Sequence, residues 1–233
     1  MNRPIIIGLT GGIGMGKSTA AKIMAALGLP IYSADKAVHD LLAPGGKAVK
    51  PVGTLFPEAL KIVTRKGKRV KTIDRKIIGQ KVFHDPKKLK QLERILHPLV
   101  HDIESRFIAR HKKAVAVVLE IPLLFETGAD KRCDAVICVT APKAVQRQRV
   151  LLRKHMTPER LKAILAQQMP NAEKLKRADY VVNTGKSVAD TRQQLIAILA
   201  YFGIGGGLAN YSPTLSFVLS KKKRKLDSGM TKL

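Results

Sequence analysis

The chain has 233 residues, 45% of them hydrophobic, enough to bury a substantial core in one globular unit with inserted subdomains rather than in two independent domains. Lys and Arg number 43 against 17 Asp and Glu, and the formal net charge of +26 bears on anionic partners and solubility rather than on fold. Aromatics make up 4% and Trp is missing, so platforms for stacking single-stranded bases are poor; the runs "RKGKRVK" and "KKKRK" read as solvated surface, and no nucleic-acid partner is expected.

The N-terminus passes from Met1 to an apolar run at Ile5 without the basic stretch, apolar core and cleavage site of a secretory signal. No apolar run reaches the roughly 20 residues of a membrane span, so the cytoplasm is the expected location and no membrane partner is expected. Residues 5–9 begin a series of short, β-branched runs without alternation, which suits strands buried on both faces of a parallel sheet. Residues 17–27 show helical periodicity, with Gly28 as the stop, and 29–32 form the next strand. Residues 36–113 are too long for one crossover and read as an inserted, mainly helical subdomain. In it Asp85 caps and Pro86 opens a long helix running through Leu89, Leu92, Leu96 and Leu99 to Phe107, which Pro98 kinks or divides. His97 and His101 are helix-spaced but lack the glutamate of a zinc motif. Strands follow at 115–121 and 135–140, the latter holding Cys138 as a small buried hydrophobe; Cys133 and Cys138 lack the spacing of a metal site. Residues 142–177 form a second insertion rich in arginine, a mobile cover over an anionic ligand, with Thr157 and Pro158 starting its second helix. A strand at 180–182 and a helix at 188–202 complete an α/β core made of residues 1–35, 114–141 and 178–203. Residues 204–233, after the glycine-rich break, read as a disordered basic appendage.

Between the first strand and first helix stands "GLTGGIGMGKST", in which Gly11-x4-Gly16-Lys17-Ser18 fits G-x-x-x-x-G-K-[ST] in the context that confirms it. Glycines let the backbone wrap a phosphate, the N–H groups of Gly14, Gly16, Lys17 and Ser18 turn inward, and the helix start adds positive potential. The nucleotide-binding set is Gly12, Ile13, Gly14, Met15, Gly16, Lys17, Ser18 and Thr19, with Lys17 reaching the β- and γ-phosphates of ATP and Ser18 holding Mg²⁺. A dinucleotide fingerprint from Gly12 fails because it needs glycine where Lys17 stands. Residues just after parallel strands share one crevice, which brings in Asp35, Glu120 and the arginines after residue 140. Asp35 is the candidate base for an alcohol acceptor, the N-cap of a helix over 36–42, or both. Arg149 and Arg153, one turn apart on a helix, face the transferring phosphate together or form a solvated face. Glu120 binds Mg²⁺ through water or closes its strand.

The markers "GLTGGIGMGKST", "SADKAVHDLL", "IDRKIIGQKVF", "LERILHPLV", "VLEIPLLFETG", "CDAVICVTAP", "QRQRVLLR" and "ADYVVNTG" occur in this order, and through them the chain resembles the dephospho-CoA kinase family. The resemblance implies a P-loop kinase core with an inserted helical substrate domain and a helical lid. It also implies ATP- and Mg²⁺-dependent phosphorylation of the ribose 3′-hydroxyl of dephospho-CoA, giving CoA and ADP, the last step of coenzyme A synthesis. By position, Asp35 matches the second aspartate of the family's Asp-Ala-Asp element, the base, and Arg149 a phosphate-contacting arginine of the lid. Residues 36–113 match the helical CoA domain, where Asp74, Arg75, His97 and Pro98 fall on motif positions; Asp74, Arg75 and His97 join Asp35 and Arg153 as the substrate-binding set. His97 either contacts ligand or is a packed helix residue. Ser33 stands where the family has aspartate, so any duty shared by two carboxylates falls on Asp35 alone. "VVNTG" is a residue shorter than in many relatives, which bears on adenine contacts near Asn183, and the oligomeric state has no signature. Two other readings compete. Another small-molecule P-loop kinase, of the nucleoside monophosphate type, would share the ATP site and lid; a basic nucleotide-gated nucleic-acid binder is favoured by +26 and disfavoured by the joint presence of Lys17, Ser18 and Asp35.

Overall fold

The computed structural model describes residues 3–83 and 85–204. In chain order, β1 (Ile5–Thr10) leads through the glycine turn into α1 (Lys17–Ala26). Then come β2 (Ile31–Ser33), α2 (Ala34–Leu42), α3 (Val49–Leu55), β3 (Leu60–Arg65), β4 (Lys68–Ile73), α4 (Arg75–Phe83) and α5 (Pro86–Arg110). The chain continues with β5 (Ala116–Glu120), β6 (Ala135–Thr140), α6 (Lys143–Leu151), α7 (Pro158–Ala166), α8 (Asn171–Arg177), β7 (Tyr180–Asn183) and α9 (Val188–Tyr201). It divides into two compact units, one spanning Tyr32–Lys112 and one built from the described residues up to Ile31 and from Lys113 onward. The sequence reading opened the insertion at 36 and closed it at 113.

The main sheet has the order β2-β5-β1-β6-β7, and within the larger unit the β1–β5, β1–β6 and β6–β7 pairs are all parallel. Every residue of β5 is buried, and β6 is buried from Ala135 to Val139, which is why these strands carry continuous apolar runs. Ile7, Leu9, Met24, Val118, Ile137, Val182 and Leu195 are among the side chains of its core, each worth about 1.5–3 kcal/mol of burial. Both cysteines are buried thiols within this unit, and burial pushes Cys138 up to about 12, leaving it unreactive. Helix α9 is held at its start by a reciprocal capping box between Ser187 and Asp190. Ile204 packs on the same core and donates its N–H to the carbonyl of Leu199, so this first residue of the expected appendage belongs to the body. The remainder of the expected basic tail, 205–233, lies outside the described residues.

The smaller unit has its own core, around Leu41, Val52, Phe56, Ile73, Ile78, Leu92 and Leu96. Asp85 caps α5 by accepting from the N–H groups of Lys87 and Lys88, both at 3.0 Å, with Pro86 at the first helical position. Helix α5 then runs unbroken through Pro98, so the expected division does not occur. The "mainly helical" expectation also missed the antiparallel hairpin β3–β4, whose register pairs Val63 with Val70 and Arg65 with Lys68. At its tip Lys66 (φ 50°) and Gly67 (φ 73°) both have positive φ, as a type I′ turn demands. Part of the run read as solvated charge is therefore a strand-turn-strand.

Candidate active site at the glycine-rich turn

In the larger unit the residues from Gly11 to Ser18 pass from the end of β1 to the start of α1. Two glycines explain why the loop has its shape. Gly14 (φ 75°) lies so close to α6 that a Cβ there would stand 2.5 Å from Val150 Cγ2, and one on Gly16 (φ 86°) would stand 2.6 Å from Thr184 Oγ1. Gly16 is also the N-cap of α1, and being without a side chain it leaves the first-turn N–H groups uncapped and open to an anion.

Lys17 and Ser18, the first residues of α1, converge on the last residue of β5. Lys17 Nζ lies 2.9 Å from Glu120 Oε1, and Ser18 Oγ donates to the same oxygen at 3.3 Å. The Lys17 and Glu120 side chains are only 12% and 10% exposed, so the ammonium does not extend freely into solvent as a lone loop lysine would. Glu120 was the residue the sequence left between a Mg²⁺ role and a strand end; it is a nearly buried carboxylate presented beside the hydroxyl of Ser18. That donor set, a hydroxyl and a carboxylate, suits a hard cation that completes its shell with phosphate and water oxygens. Among the described residues no group of three or more His, Cys, Asp and Glu forms an all-protein metal cage.

Arg149 is anchored by a residue the sequence reading passed over. Its Nη1 donates to Thr184 Oγ1 at 3.0 Å and its Nη2 to the Thr184 carbonyl at 2.7 Å, while the Thr184 hydroxyl donates to the carbonyl of Met15 at 2.9 Å. Thr184 thus couples Arg149 to the middle of the glycine-rich turn, and the only sequence hint was its place just after the last strand. Arg153 does not join it. Helix α6 ends at Leu151, and Arg153 lies in the following turn, exposed and with no side-chain hydrogen bond among the described residues, so the expected pair on one helix is corrected to a single placed arginine. Ile13 is held on both sides. Its carbonyl accepts from Gln146 Nε2 at 2.8 Å, and its N–H donates to Gln168 Oε1 at 3.3 Å.

The segment after β5 is tied down by a fully buried lysine. Lys174 Nζ donates to the carbonyl of Pro122 at 3.1 Å and pairs with Glu126 at 2.8 Å, and Glu126 also accepts from the N–H of Met169 at 2.9 Å. Burial pushes the Glu126 carboxyl up, but Lys174 and the Met169 N–H outweigh it and hold the group below the usual carboxylate range.

The remaining candidates belong to the smaller unit. Asp35 is the second residue of α2, exposed, with no hydrogen-bond or ion-pair partner among the described residues. It is not the cap: Ser33 is, its hydroxyl accepting from the N–H of Lys36 at 3.5 Å. The chain enters helical conformation at Ala34, and only the residue before that can turn its side chain back onto the open N–H groups. Asp74 precedes α4, pairs with Lys61 and accepts from the N–H of Lys76 at 2.9 Å; these two contacts hold its carboxyl below the ordinary range. Arg75 directs Nη1 to Nδ1 of His39 at 2.7 Å, which fixes His39 as the acceptor. His97 is exposed on α5, with no hydrogen bond among the described residues, so it is not a packed helix residue.

Residues 5–190 match the family model described as dephospho-CoA kinase. The chain is 45% identical over 197 residues to the dephospho-CoA kinase of Rhodopseudomonas palustris, covering 84% of this chain and 94% of that protein. It is 47% identical over 197 residues to that of Bradyrhizobium diazoefficiens, with the same coverage of 84% and 94%. Among solved structures it is similar to TT1252 from Thermus thermophilus (TM-score 0.73, 36% identity, 86% of this chain and 98% of that one). It is also similar to the dephospho-CoA kinase from Campylobacter jejuni (TM-score 0.57, 30% identity, 84% and 96%).

Proposed function

This chain belongs to the dephospho-CoA kinase family, and on that premise we propose that it transfers the terminal phosphoryl group of ATP to the ribose 3′-hydroxyl of dephospho-CoA, releasing CoA and ADP. The observation that supports this reading most directly is the convergence of Lys17 and Ser18 on Glu120 beside the glycine-rich turn. The backbone N–H groups of Gly14, Gly16, Lys17 and Ser18 cradle the phosphates. Lys17 moves its charge from Glu120 to the β- and γ-phosphates, which exchanges one anionic partner for another without exposing a lone buried cation. Ser18 and Glu120 hold Mg²⁺, which when bound neutralises charge on the β- and γ-oxygens. Arg149, oriented by Thr184, places its remaining N–H groups toward the transferring phosphoryl group. Asp35 orients the 3′-hydroxyl and accepts its proton as O3′ bonds to the γ-phosphorus and the bond from that phosphorus to the bridging oxygen breaks, with ADP as the leaving group. Asp74, Arg75, His97 and Arg153 contribute to holding dephospho-CoA. Because phosphoryl transfer asks the protein mainly for positioning and charge stabilisation, a loop, two side-chain cations and two carboxylates, one for the metal and one for the hydroxyl, are a sufficient kit.

No helix among the described residues is long and apolar enough to cross a membrane, and we place the reaction in the cytoplasm. ADP release measured with ATP, Mg²⁺ and either dephospho-CoA or a nucleoside monophosphate as acceptor tests the reading. Dephospho-CoA is expected to drive turnover and to yield a product carrying a 3′-phosphate by ³¹P NMR; turnover with the monophosphate and none with dephospho-CoA would overturn it.

A further inference from the structure

We infer that Gln146 is a positioning residue for nucleotide binding: by holding the carbonyl of Ile13 it fixes the Gly14 N–H in the direction of the bound phosphates. The inference rests on the reading of residues 11–18 as the phosphate loop. Gln146 lies on α6, 7% exposed, and Nε2 donates to the Ile13 carbonyl at 2.8 Å. Its amide orientation is set by chemistry, since only the nitrogen end can meet a carbonyl. The Ile13 carbonyl and the Gly14 N–H belong to one planar trans peptide and point to opposite sides of the chain, so a donor holding the first aims the second away from α6. Among the described residues no acceptor meets that N–H.

A clamp is needed here because of what surrounds this peptide. Gly14 occupies positive φ and has no side chain to resist rotation, so the peptide between Ile13 and Gly14 has little of its own to keep it from flipping. No side chain could serve in place of the clamp, because a Cβ on Gly14 would meet Val150 at 2.5 Å and the backbone oxygen of Gln146 at 3.1 Å. The preceding peptide is held separately, with the Ile13 N–H donating to Gln168 Oε1 at 3.3 Å. The loop therefore has its glycine for close approach and borrows rigidity from the glutamine.

Gln146→Glu keeps the size of the side chain and turns the donor into an acceptor, which repels the Ile13 carbonyl and favours the flipped peptide; Gln146→Met keeps the size and removes the donor alone. ADP binding by titration calorimetry and the separate KM values for ATP and dephospho-CoA are measured for both, with Lys17→Ala alongside. A hydrogen bond to a charged phosphate is lost, so ADP affinity and KM for ATP are expected to worsen by about tenfold or more in both variants. KM for dephospho-CoA should hold in Gln146→Met, and the thermal midpoint should fall by no more than the few degrees that one unmet carbonyl costs. Unchanged ADP affinity in Gln146→Met and Gln146→Glu with impaired binding in Lys17→Ala overturns the role of Gln146 and leaves the phosphate loop standing. Parallel loss of both KM values and of thermal stability overturns it in favour of simple packing. Normal ADP binding in Lys17→Ala removes the phosphate-loop reading, and this inference with it.

Discussion

Asp35→Asn separates chemistry from architecture in α2. Asp35 is exposed in the first turn and hydrogen-bonded to no described residue, while the cap is supplied by Ser33 through the N–H of Lys36. The isosteric change therefore removes no packing and no cap; it removes one negative charge near a helix start, worth about 0.3–1 kcal/mol at an exposed site. For a chain of this size that corresponds to a fall in Tm of roughly 1–4 °C, so the fraction folded at assay temperature is unaffected. The loss of a general base, by contrast, is worth about 10² to 10⁴ in rate, and Ser33 offers no second carboxylate to substitute. Ser33→Ala gives the complementary result, because it deletes the cap and leaves the carboxylate: about 0.5–1 kcal/mol is lost, the low end for a cap whose bond is 3.5 Å long, with turnover near parental. The assay is ADP release at saturating ATP and dephospho-CoA, read beside thermal melts followed by circular dichroism. Turnover of Asp35→Asn within a few-fold of the parent would refute the base assignment, and a Ser33→Ala variant with no loss of Tm would refute the assignment of the cap.

Lys17→Ala is expected to abolish turnover and also to lower Tm, since the nearly buried Glu120 carboxylate loses its cation; adding Glu120→Gln should restore Tm but not turnover, as melts of the single and double variants will show. Gly14→Ala forces a Cβ into Val150 at a backbone angle that alanine resists, so ADP binding should be lost along with some stability; Gly28→Ala carries the same kind of backbone strain (φ 88°) but no atom lies within 4 Å of its new Cβ, so it should cost some stability and leave ADP binding near parental. Glu126 is held below its unfolded value, so its stabilising contribution is complete above the unfolded carboxylate pKa of about 4.3 and is lost as pH falls through the lowered folded value. Lys174→Met should therefore flatten the acid limb of a stability-versus-pH curve from denaturant melts, and an unchanged limb would show that the pair does not govern it. Thr184→Val, which frees Arg149 from its hydroxyl anchor and removes the bond to Met15, should lower kcat while leaving KM for dephospho-CoA near parental in steady-state assays.

Features that depend on residues close together in the chain were legible before any coordinates. The parallel strands β1, β5 and β6 announce themselves as short apolar runs because burial on both faces leaves no room for alternation, and the phosphate loop is a contiguous motif whose chemistry lies in its own backbone. The helix starts at Asp85 and Thr157 follow the same local logic. The hairpin β3–β4 was not legible because its outward faces are basic on both sides and Val63–Val70 is too short an apolar signal, so the Lys66–Gly67 turn was hidden inside a charge run. Whether Ser33 or Asp35 caps α2 depends on where β2 releases the chain, and two good capping residues that close together leave local pattern with no means of choosing. The contacts that make the loop a device were decided by tertiary structure alone. Lys17 meets Glu120 across 103 residues, Arg149 meets Thr184 across 35, and Gln146 and Gln168 meet Ile13 across 133 and 155. No periodicity spans such separations. Each side chain is carried to its partner by the ends of strands and helices whose positions are set by packing the whole core, so sequence names the chemistry at the loop and only the packed fold says which residues hold it in place.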